Sequence, residues 1–152
     1  EIPLRLVGSE MCIRDRGKDL TAVRGQTLLA KEPAPDFLKK TLLLEKSDVL
    51  RTVENLLANA VRFTPAGGTV TIDTVWDEKK AGIRVQDEGP GFSPEALAKA
   101  GKTFYTQDGS RPKDGHMGMG LYFAAQVAQK HGGSLVLENT PSGGSACLWL
   151  EI

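Results

Sequence analysis

The amino-acid sequence predicts an α+β fold in which helices cover one face of a sheet. Residues 70–86 and 134–151 alternate between apolar and polar side chains and each stretch contains a turn, so both are typical of β-hairpins. Residues 47–63 and 118–130 have helical periodicity and are long enough to cover those hairpins. Together these observations predict a two-layer α/β sandwich with a mixed, mainly antiparallel sheet.

The composition indicates one domain that works in water. The chain has 152 residues, 40% of them hydrophobic and 25% charged, against a typical domain of about 150 residues. Its 19 Lys and Arg residues balance 19 Asp and Glu residues. Because nucleic acid and polybasic membrane binding need a net positive field, we expect neither partner. Cys12 and Cys147 are too few for a disulfide framework, which favours a reducing, cytoplasmic compartment.

The first part of the chain gives weaker signals. Residues 1–16 have no clear period and resemble a translated sequencing adapter, so we expect an artefactual or disordered tail there and one domain over 17–152. Residues 20–32 read as an interrupted strand whose clearest part is 26–30. A second short strand is expected over 37–44.

A helix with an unusual polar face is predicted from Ser47, as its N-cap, to Phe63. On a wheel of about 100° per residue, Asn59 and Arg62 fall within about 40° of Asn55, opposite an apolar face. Asn is unfavourable inside helices because its amide competes for backbone hydrogen bonds, so two on one face need a reason. One interpretation is a solvated face. The other is ligand binding, since an amide oxygen suits Mg²⁺ and a guanidinium binds phosphate.

A first glycine-bearing loop, DEGPGF over residues 87–92, follows the predicted strand 83–86. The carboxylate of Asp87, fixed at a strand end, can accept a hydrogen bond from an exocyclic amine. Gly89 and Gly91 would let the backbone approach a flat ring closely. A simple tight turn uses the same residue types, so the motif alone leaves both readings open.

A second glycine-bearing loop, GHMGMGL over residues 115–121, opens directly into the predicted helix 118–130. Exposed backbone N–H groups at such a junction bind anions, and a flexible hinge would need the same glycines. Between the two loops, a short helix is predicted over 93–100. Residues 101–117 are rich in Gly, Asp, Lys and Pro, which predicts a surface loop longer than a connector needs.

In this order the motifs resemble the ATP-binding catalytic domain of bacterial sensor histidine kinases. The wider superfamily also contains gyrase, the heat-shock chaperone ATPase and the mismatch-repair ATPases. The resemblance covers residues 20–152 and implies the Bergerat-type fold, with ATP between the Asn-bearing helix and the loop before Gly118. It is carried by ENLLANAVRFTPAGG, VQDEGPGFS, FYT, GMGLYFAAQVAQKHGGSL and GGSACLWLEI.

The resemblance implies a role for individual residues of this sequence. Asn59 would bind Mg²⁺, with Asn55 and Arg62 beside the phosphates as catalytic residues. Asp87 would select adenine. The other nucleotide-binding residues that the resemblance implies are Phe63, Gly89, Gly91, Arg111, Lys113, Gly118, Gly120 and Leu121, of which Arg111 and Lys113 are lid cations directed at the γ-phosphate.

One position separates kinases from ATPases within the superfamily. The ATPases carry a Glu one helical turn before the Mg²⁺-binding Asn, as general base for the attacking water. Here that residue is Asn55, whose amide cannot take the proton, and Glu54 points about 100° away. We therefore expect slow ATP hydrolysis, which suits a kinase. The resemblance implies a histidine kinase that transfers the γ-phosphate of Mg-ATP to a histidine on a dimerisation domain absent from this chain.

Two alternatives stay open at this point. One is an anti-sigma-factor-type serine kinase, and the other is a module that senses ATP without turnover. The partners that we expect are the histidine-bearing dimerisation domain and a downstream response regulator. We expect this domain alone to be monomeric, cytoplasmic and inactive without its phosphoacceptor, with inner-membrane anchoring of the full-length protein as an open possibility.

Overall fold

The computed structural model describes residues 2–3, 16–31, 41–42, 46–94, 97 and 117–151. Its strands and long helices are β1 (Ile2–Pro3), β2 (Thr27–Ala30), β3 (Thr41–Leu42), α1 (Lys46–Phe63), β4 (Thr69–Trp76), β5 (Lys80–Gln86), α2 (Met117–Lys130), β6 (Ser134–Asn139) and β7 (Gly144–Glu151). The two helices α1 and α2 cover one face of a five-stranded sheet with the order β2-β4-β5-β7-β6. Strand β2 is parallel to β4, and the other neighbours are antiparallel. The predicted two-layer α+β sandwich is confirmed.

The two hairpins and both long helices are where the sequence predicts them. Helix α1 begins at Lys46, so Ser47 lies inside the helix and the prediction of Ser47 as N-cap is wrong. Strand β5 begins at Lys80, three residues before its predicted start, because Asp77 N–H bonds to Lys80 O (2.9 Å) and closes a tighter turn. The short strands β1 and β3 pair with each other in a separate antiparallel ladder.

The interrupted strand predicted over 20–32 is partly wrong, because residues 16–22 are helical. Gln26 N–H donates to Thr21 O (2.9 Å) and Gly25 N–H to Ala22 O (3.2 Å), which is the Schellman pattern of a helix end. Gly25 has the positive φ of 65° that this ending favours. The strand proper starts only at Thr27.

Several predicted segments lie wholly or largely outside the described residues. They include residues 101–116 of the predicted surface loop and most of the 1–16 tail. In the short helix predicted over 93–100, Leu97 N–H donates to Ser93 O (3.0 Å), as in a helical turn. Among the described helices, none combines the length and the apolar character that crossing a membrane requires.

The core lies between the sheet and the two helices. Val53 and Leu57 of α1 and Leu148 of β7 are fully buried. At the far end, α2 ends in a second Schellman turn, in which Gly133 N–H donates to Ala128 O (2.8 Å), and Glu151 N–H of β7 donates to His131 O (3.0 Å) just beyond the helix. The packing of Val53 and Leu57 with Leu148 holds α1 against the sheet.

The face of the sheet opposite the helices carries an ion pair and a buried thiol. Arg84 on β5 donates through Nε to Asp73 Oδ1 on β4 (3.0 Å), and this bond raises the pKa of Arg84. Cys147 on β7 lies directly opposite Arg84 in the register. Burial raises the pKa of the Cys147 thiol to about 12, so the thiol stays protonated and unreactive in the folded protein.

We expect the Cys147 thiol to cost stability at alkaline pH. In the unfolded chain its pKa is near 9.0, against about 12 when folded, so only the unfolded state ionises between these values. The stability present below about pH 9 is therefore lost as the pH rises towards about 12. Between pH 8 and pH 10.5, the free energy of unfolding of the parent in urea should fall by about 2 kcal/mol more than that of Cys147→Val. Both proteins carry Cys12→Ser in this comparison. Parallel pH profiles would contradict this.

Candidate nucleotide-binding site

A pocket opens between the last two turns of α1 and the ends of β5 and β7. Six of the side chains that line it are apolar, and the two polar ones, Asn59 and Asp87, come from opposite walls. An apolar lining with a few convergent polar groups is typical of small-molecule sites. The lining residues are Leu56, Asn59, Ala60, Phe63, Val85, Asp87, Phe92 and Ala146.

Three of the predicted site residues, Asn59, Phe63 and Asp87, therefore meet in one place. Of the apolar lining residues, only Phe63 was predicted as a site residue. Phe92 was visible only as the last letter of the DEGPGF motif, and Ala146 follows the final glycine pair. An aromatic residue directly after a glycine loop was the available signal for Phe92.

The carboxylate of Asp87 is anchored by backbone on one side. Its Oδ1 accepts hydrogen bonds from Gly89 N–H (2.9 Å) and Gly144 N–H (3.0 Å). Asp87 N–H in turn donates to Gly144 O (2.9 Å). A Cβ on Gly143 would lie 2.3 Å from Asp87 O, so the glycine pair lets the hairpin end reach the carboxylate. The sequence showed Gly143 and Gly144 only as a turn.

Gly89 and Gly91 are needed for the course of the loop. A Cβ on Gly89 would lie 2.6 Å from Phe63 O, at the end of α1. Gly91 has a φ of 82°, which favours glycine, and its Cβ would lie 2.8 Å from Asn139 Oδ1. Their predicted role as the floor of a base pocket stays a prediction.

A second set of hydrogen bonds joins this loop to the end of α1. Glu88 N–H donates to Oγ1 of the buried Thr64 (3.1 Å), and the Glu88 carboxylate accepts from Thr69 N–H (2.5 Å). Gln26, also buried, donates through Nε2 to Val61 O (2.9 Å) and Thr64 O (2.7 Å), two carbonyls that the helix end leaves without helical partners. The loop after β5 and the end of α1 are thereby tied together.

The other predicted residues of α1 lie along the same polar face. Asn55 and Asn59 are half-buried and one turn apart, and Arg62 is exposed. The Arg62 guanidinium lies 5.7 Å from the centroid of the Phe63 ring. Asn59 lines the pocket, while Asn55 lies one turn nearer the N-terminus of the helix.

Asn59 suits a metal that arrives with a ligand. Among the described residues there is no cluster of three or more His, Cys, Asp or Glu side chains that would hold a metal ion alone. Mg²⁺ commonly takes one or two protein oxygens and completes its shell with substrate phosphates and water. A single half-buried amide oxygen beside a pocket fits that donor set.

Two glycines of the second loop, Gly118 and Gly120, belong to the beginning of α2. Gly118, Gly120 and Leu121 lie in its first turns, and the helix starts at Met117. Arg111 and Lys113 lie outside the described residues, so their contact with a γ-phosphate stays a prediction.

Two contacts hold α2 beside α1. The Arg51 guanidinium stacks 4.7 Å from the centroid of the Phe123 ring, and Lys130 Nζ pairs with Asp48 Oδ2 at 3.3 Å. Both contacts run between the two helices. The glycine-rich start of α2 is thereby kept on the same layer as the Asn-bearing face of α1.

The sheet and the two long helices define a two-layer α/β sandwich with a pocket beside the end of α1. Residues 45–152 match the model of the histidine kinase-, DNA gyrase B- and HSP90-like ATPase family, and the chain belongs to that family.

The relatives within this family are named sensor kinases. The chain is 38% identical over 128 residues to the sensor histidine kinase SpaK of Bacillus subtilis, covering 84% of this chain and 28% of SpaK. It is 30% identical over 111 residues to the signal transduction histidine-protein kinase BaeS of Escherichia coli, covering 72% of this chain and 23% of BaeS. The chain thus spans about a quarter of the length of these relatives.

Solved structures give the same picture. A mycobacterial sensor histidine kinase, MprB, superimposes with a TM-score of 0.74 at 25% identity, covering 93% of this chain and 95% of the MprB chain. The catalytic domain of the histidine kinase ThkA gives a TM-score of 0.77 at 18% identity, covering 93% and 91%, and supports the fold.

Proposed function

We propose that this domain is the catalytic ATP-binding part of a sensor histidine kinase. It would transfer the γ-phosphate of Mg-ATP to a histidine on a dimerisation domain of the same protein, for onward transfer to a response regulator. The observation that supports this most is the pocket in which Asp87, anchored by two backbone amides, faces Asn59 of α1. We place the domain over residues 17–152, with 1–16 outside it.

Base selection is assigned to Asp87. Its Oδ1 already accepts two backbone N–H groups, so Oδ2 is the oxygen left to meet a ligand. A Cβ on Gly144 would lie 3.1 Å from Oδ2 and 2.9 Å from Phe92 Cε2, so carboxylate and ring stand on the same side of this glycine. A carboxylate there accepts from the exocyclic amine of adenine and repels the carbonyl that guanine carries at that position.

Phosphate binding is assigned to the polar face of α1 and the start of α2. Asn59 is the proposed Mg²⁺ ligand, with Asn55 and Arg62 further along the same face. Mg²⁺, when bound, neutralises charge on the transferring phosphoryl group. Gly118 and Gly120 supply backbone N–H groups at the positive end of the α2 dipole.

Transfer to a protein is favoured over hydrolysis by the residue at position 55. An amide cannot act as a general base for water. Glu54, the carboxylate next to Asn55 in the sequence, is exposed and lies on a different side of α1. Catalysis would therefore rest on positioning the nucleotide until an acceptor imidazole arrives.

The test is a phosphotransfer assay with radiolabelled ATP. A histidine-bearing dimerisation domain is fused ahead of residue 17, since fusion gives a high effective concentration of acceptor. We expect an acid-labile, alkali-stable phosphate that is lost when the acceptor histidine is changed to alanine. An acid-stable phosphate on an added serine-bearing antagonist would support the serine kinase instead, and ATP binding without transfer to either acceptor would support a sensing module.

A further inference from the structure

The side chain of Asn139, the last residue of β6, binds the backbone of Phe92 across 47 positions of sequence. Asn139 Oδ1 accepts from Phe92 N–H (2.7 Å), and Asn139 Nδ2 donates to Phe92 O (2.8 Å). Both backbone polar groups of Phe92 are thus satisfied by one amide. Asn139 is exposed, so burial in the core does not explain its position.

The loop is shaped to meet this amide. Gly91 turns the chain with a φ of 82°, and a Cβ there would lie 2.8 Å from Asn139 Oδ1 and 3.2 Å from Asn139 Cγ. A side chain at position 91 would therefore require the Asn139 amide to move. The contact between Gly91 and the Asn139 amide fixes the direction in which the backbone continues to Phe92.

What the amide fixes is one wall of the pocket. The Phe92 ring lines the pocket and stands over Gly144, beside Asp87 Oδ2. Asn139 and Gly144 are paired residues at the closed end of the β6–β7 hairpin. One hairpin end thus holds two lining residues of the pocket, Asp87 through Gly144 and Phe92 through Asn139.

We propose that Asn139 is a positioning residue of the nucleotide pocket. It sets the place of the Phe92 ring and so the affinity for the adenine base, without contact to the ligand. This rests on the proposed ATP-binding function. The proposal requires both the donor and the acceptor of the Asn139 amide. An Asp at this position would keep an acceptor for Phe92 N–H, but it would turn a carboxylate oxygen, which cannot donate, towards Phe92 O.

Calorimetric titration of the whole chain with Mg-ATP tests the proposal. We expect Asn139→Ala to weaken ATP binding about fivefold to tenfold, the size expected for losing two backbone hydrogen bonds, and Asn139→Asp not to restore it. The matched control is Ser142→Ala, an exposed side chain in the same hairpin turn, which should bind as the parent does. Asn139→Ala with parental affinity would overturn the proposal.

A double-mutant cycle separates positioning from general destabilisation. If Asn139 acts through the Phe92 ring, Asn139→Ala should cost no further affinity in a Phe92→Ala background, where no ring remains to be placed. Equal losses in both backgrounds would show that Asn139 acts elsewhere and would overturn the proposal. If the parent does not bind ATP, both the proposed function and the role of Asn139 are wrong. If the parent binds ATP but the cycle shows equal losses in both backgrounds, only the role of Asn139 is wrong.

Discussion

Asp87→Asn is expected to abolish measurable ATP binding while the domain stays folded. The asparagine is nearly isosteric, and its Oδ1 can still accept from Gly89 and Gly144 N–H as the aspartate does. At the position of Oδ2, the acceptor oxygen is replaced by an NH₂ donor, which would face the exocyclic amine of adenine. A charge-assisted bond is lost and two donors are opposed, so we expect the Kd for Mg-ATP to rise about 100-fold or more.

The matched control for this change is Asp77→Asn. Asp77 also uses Oδ1 to accept two backbone N–H groups, from Lys79 (2.8 Å) and Lys80 (2.7 Å), but it lies in the β4–β5 turn at the other end of the sheet. Titration calorimetry should show parental ATP affinity for this control, and thermal melts should show both variants folded. An Asp87→Asn variant that binds ATP as tightly as the parent would make the adenine assignment wrong.

The parts of the fold that sequence predicts are those encoded by local pattern. The β4–β5 and β6–β7 hairpins alternate with period two, and α1 has a long apolar stripe, so neighbouring residues carry the signal. The helix over residues 16–22 was missed because it is short. It is identified by hydrogen bonds at its end and by the φ of Gly25, and neither is visible in side-chain periodicity. The parallel pairing of β2 with β4 is likewise non-local.

In the site, the residues predicted from sequence are those whose chemistry is unusual for their position. Two asparagines inside a helix and an aspartate before a glycine loop are such residues, and Asn59 and Asp87 do line the pocket. Asn139, Thr64 and Gln26 were missed because their side chains bind backbone of distant segments. A polar residue at a strand or helix end looks like an ordinary turn residue until its partner is known.

Gly89→Ala should disrupt the same site through backbone geometry. Its Cβ would lie 2.6 Å from Phe63 O, 2.9 Å from Phe63 Cβ and 3.0 Å from Phe63 C, so most of the obstruction is backbone. That backbone is the end of α1, where Gln26 bonds to Thr64 O. The helix end cannot yield easily, so the loop has to move, and with it Asp87, whose Oδ1 accepts from Gly89 N–H.

We expect Gly89→Ala to weaken Mg-ATP binding about tenfold or more and to lower the free energy of unfolding by about 2 kcal/mol. Gly67→Ala is the control, because Gly67 has a φ of 82° and nothing within 4 Å of the added Cβ. It should lose about 1–2 kcal/mol from backbone strain and keep parental affinity. Urea unfolding should therefore give similar losses of stability for the two variants. A difference between their calorimetric Kd values for Mg-ATP would then report the displacement of Asp87. Equal ATP affinity in the two variants would show that the loop accommodates the methyl group without moving the carboxylate.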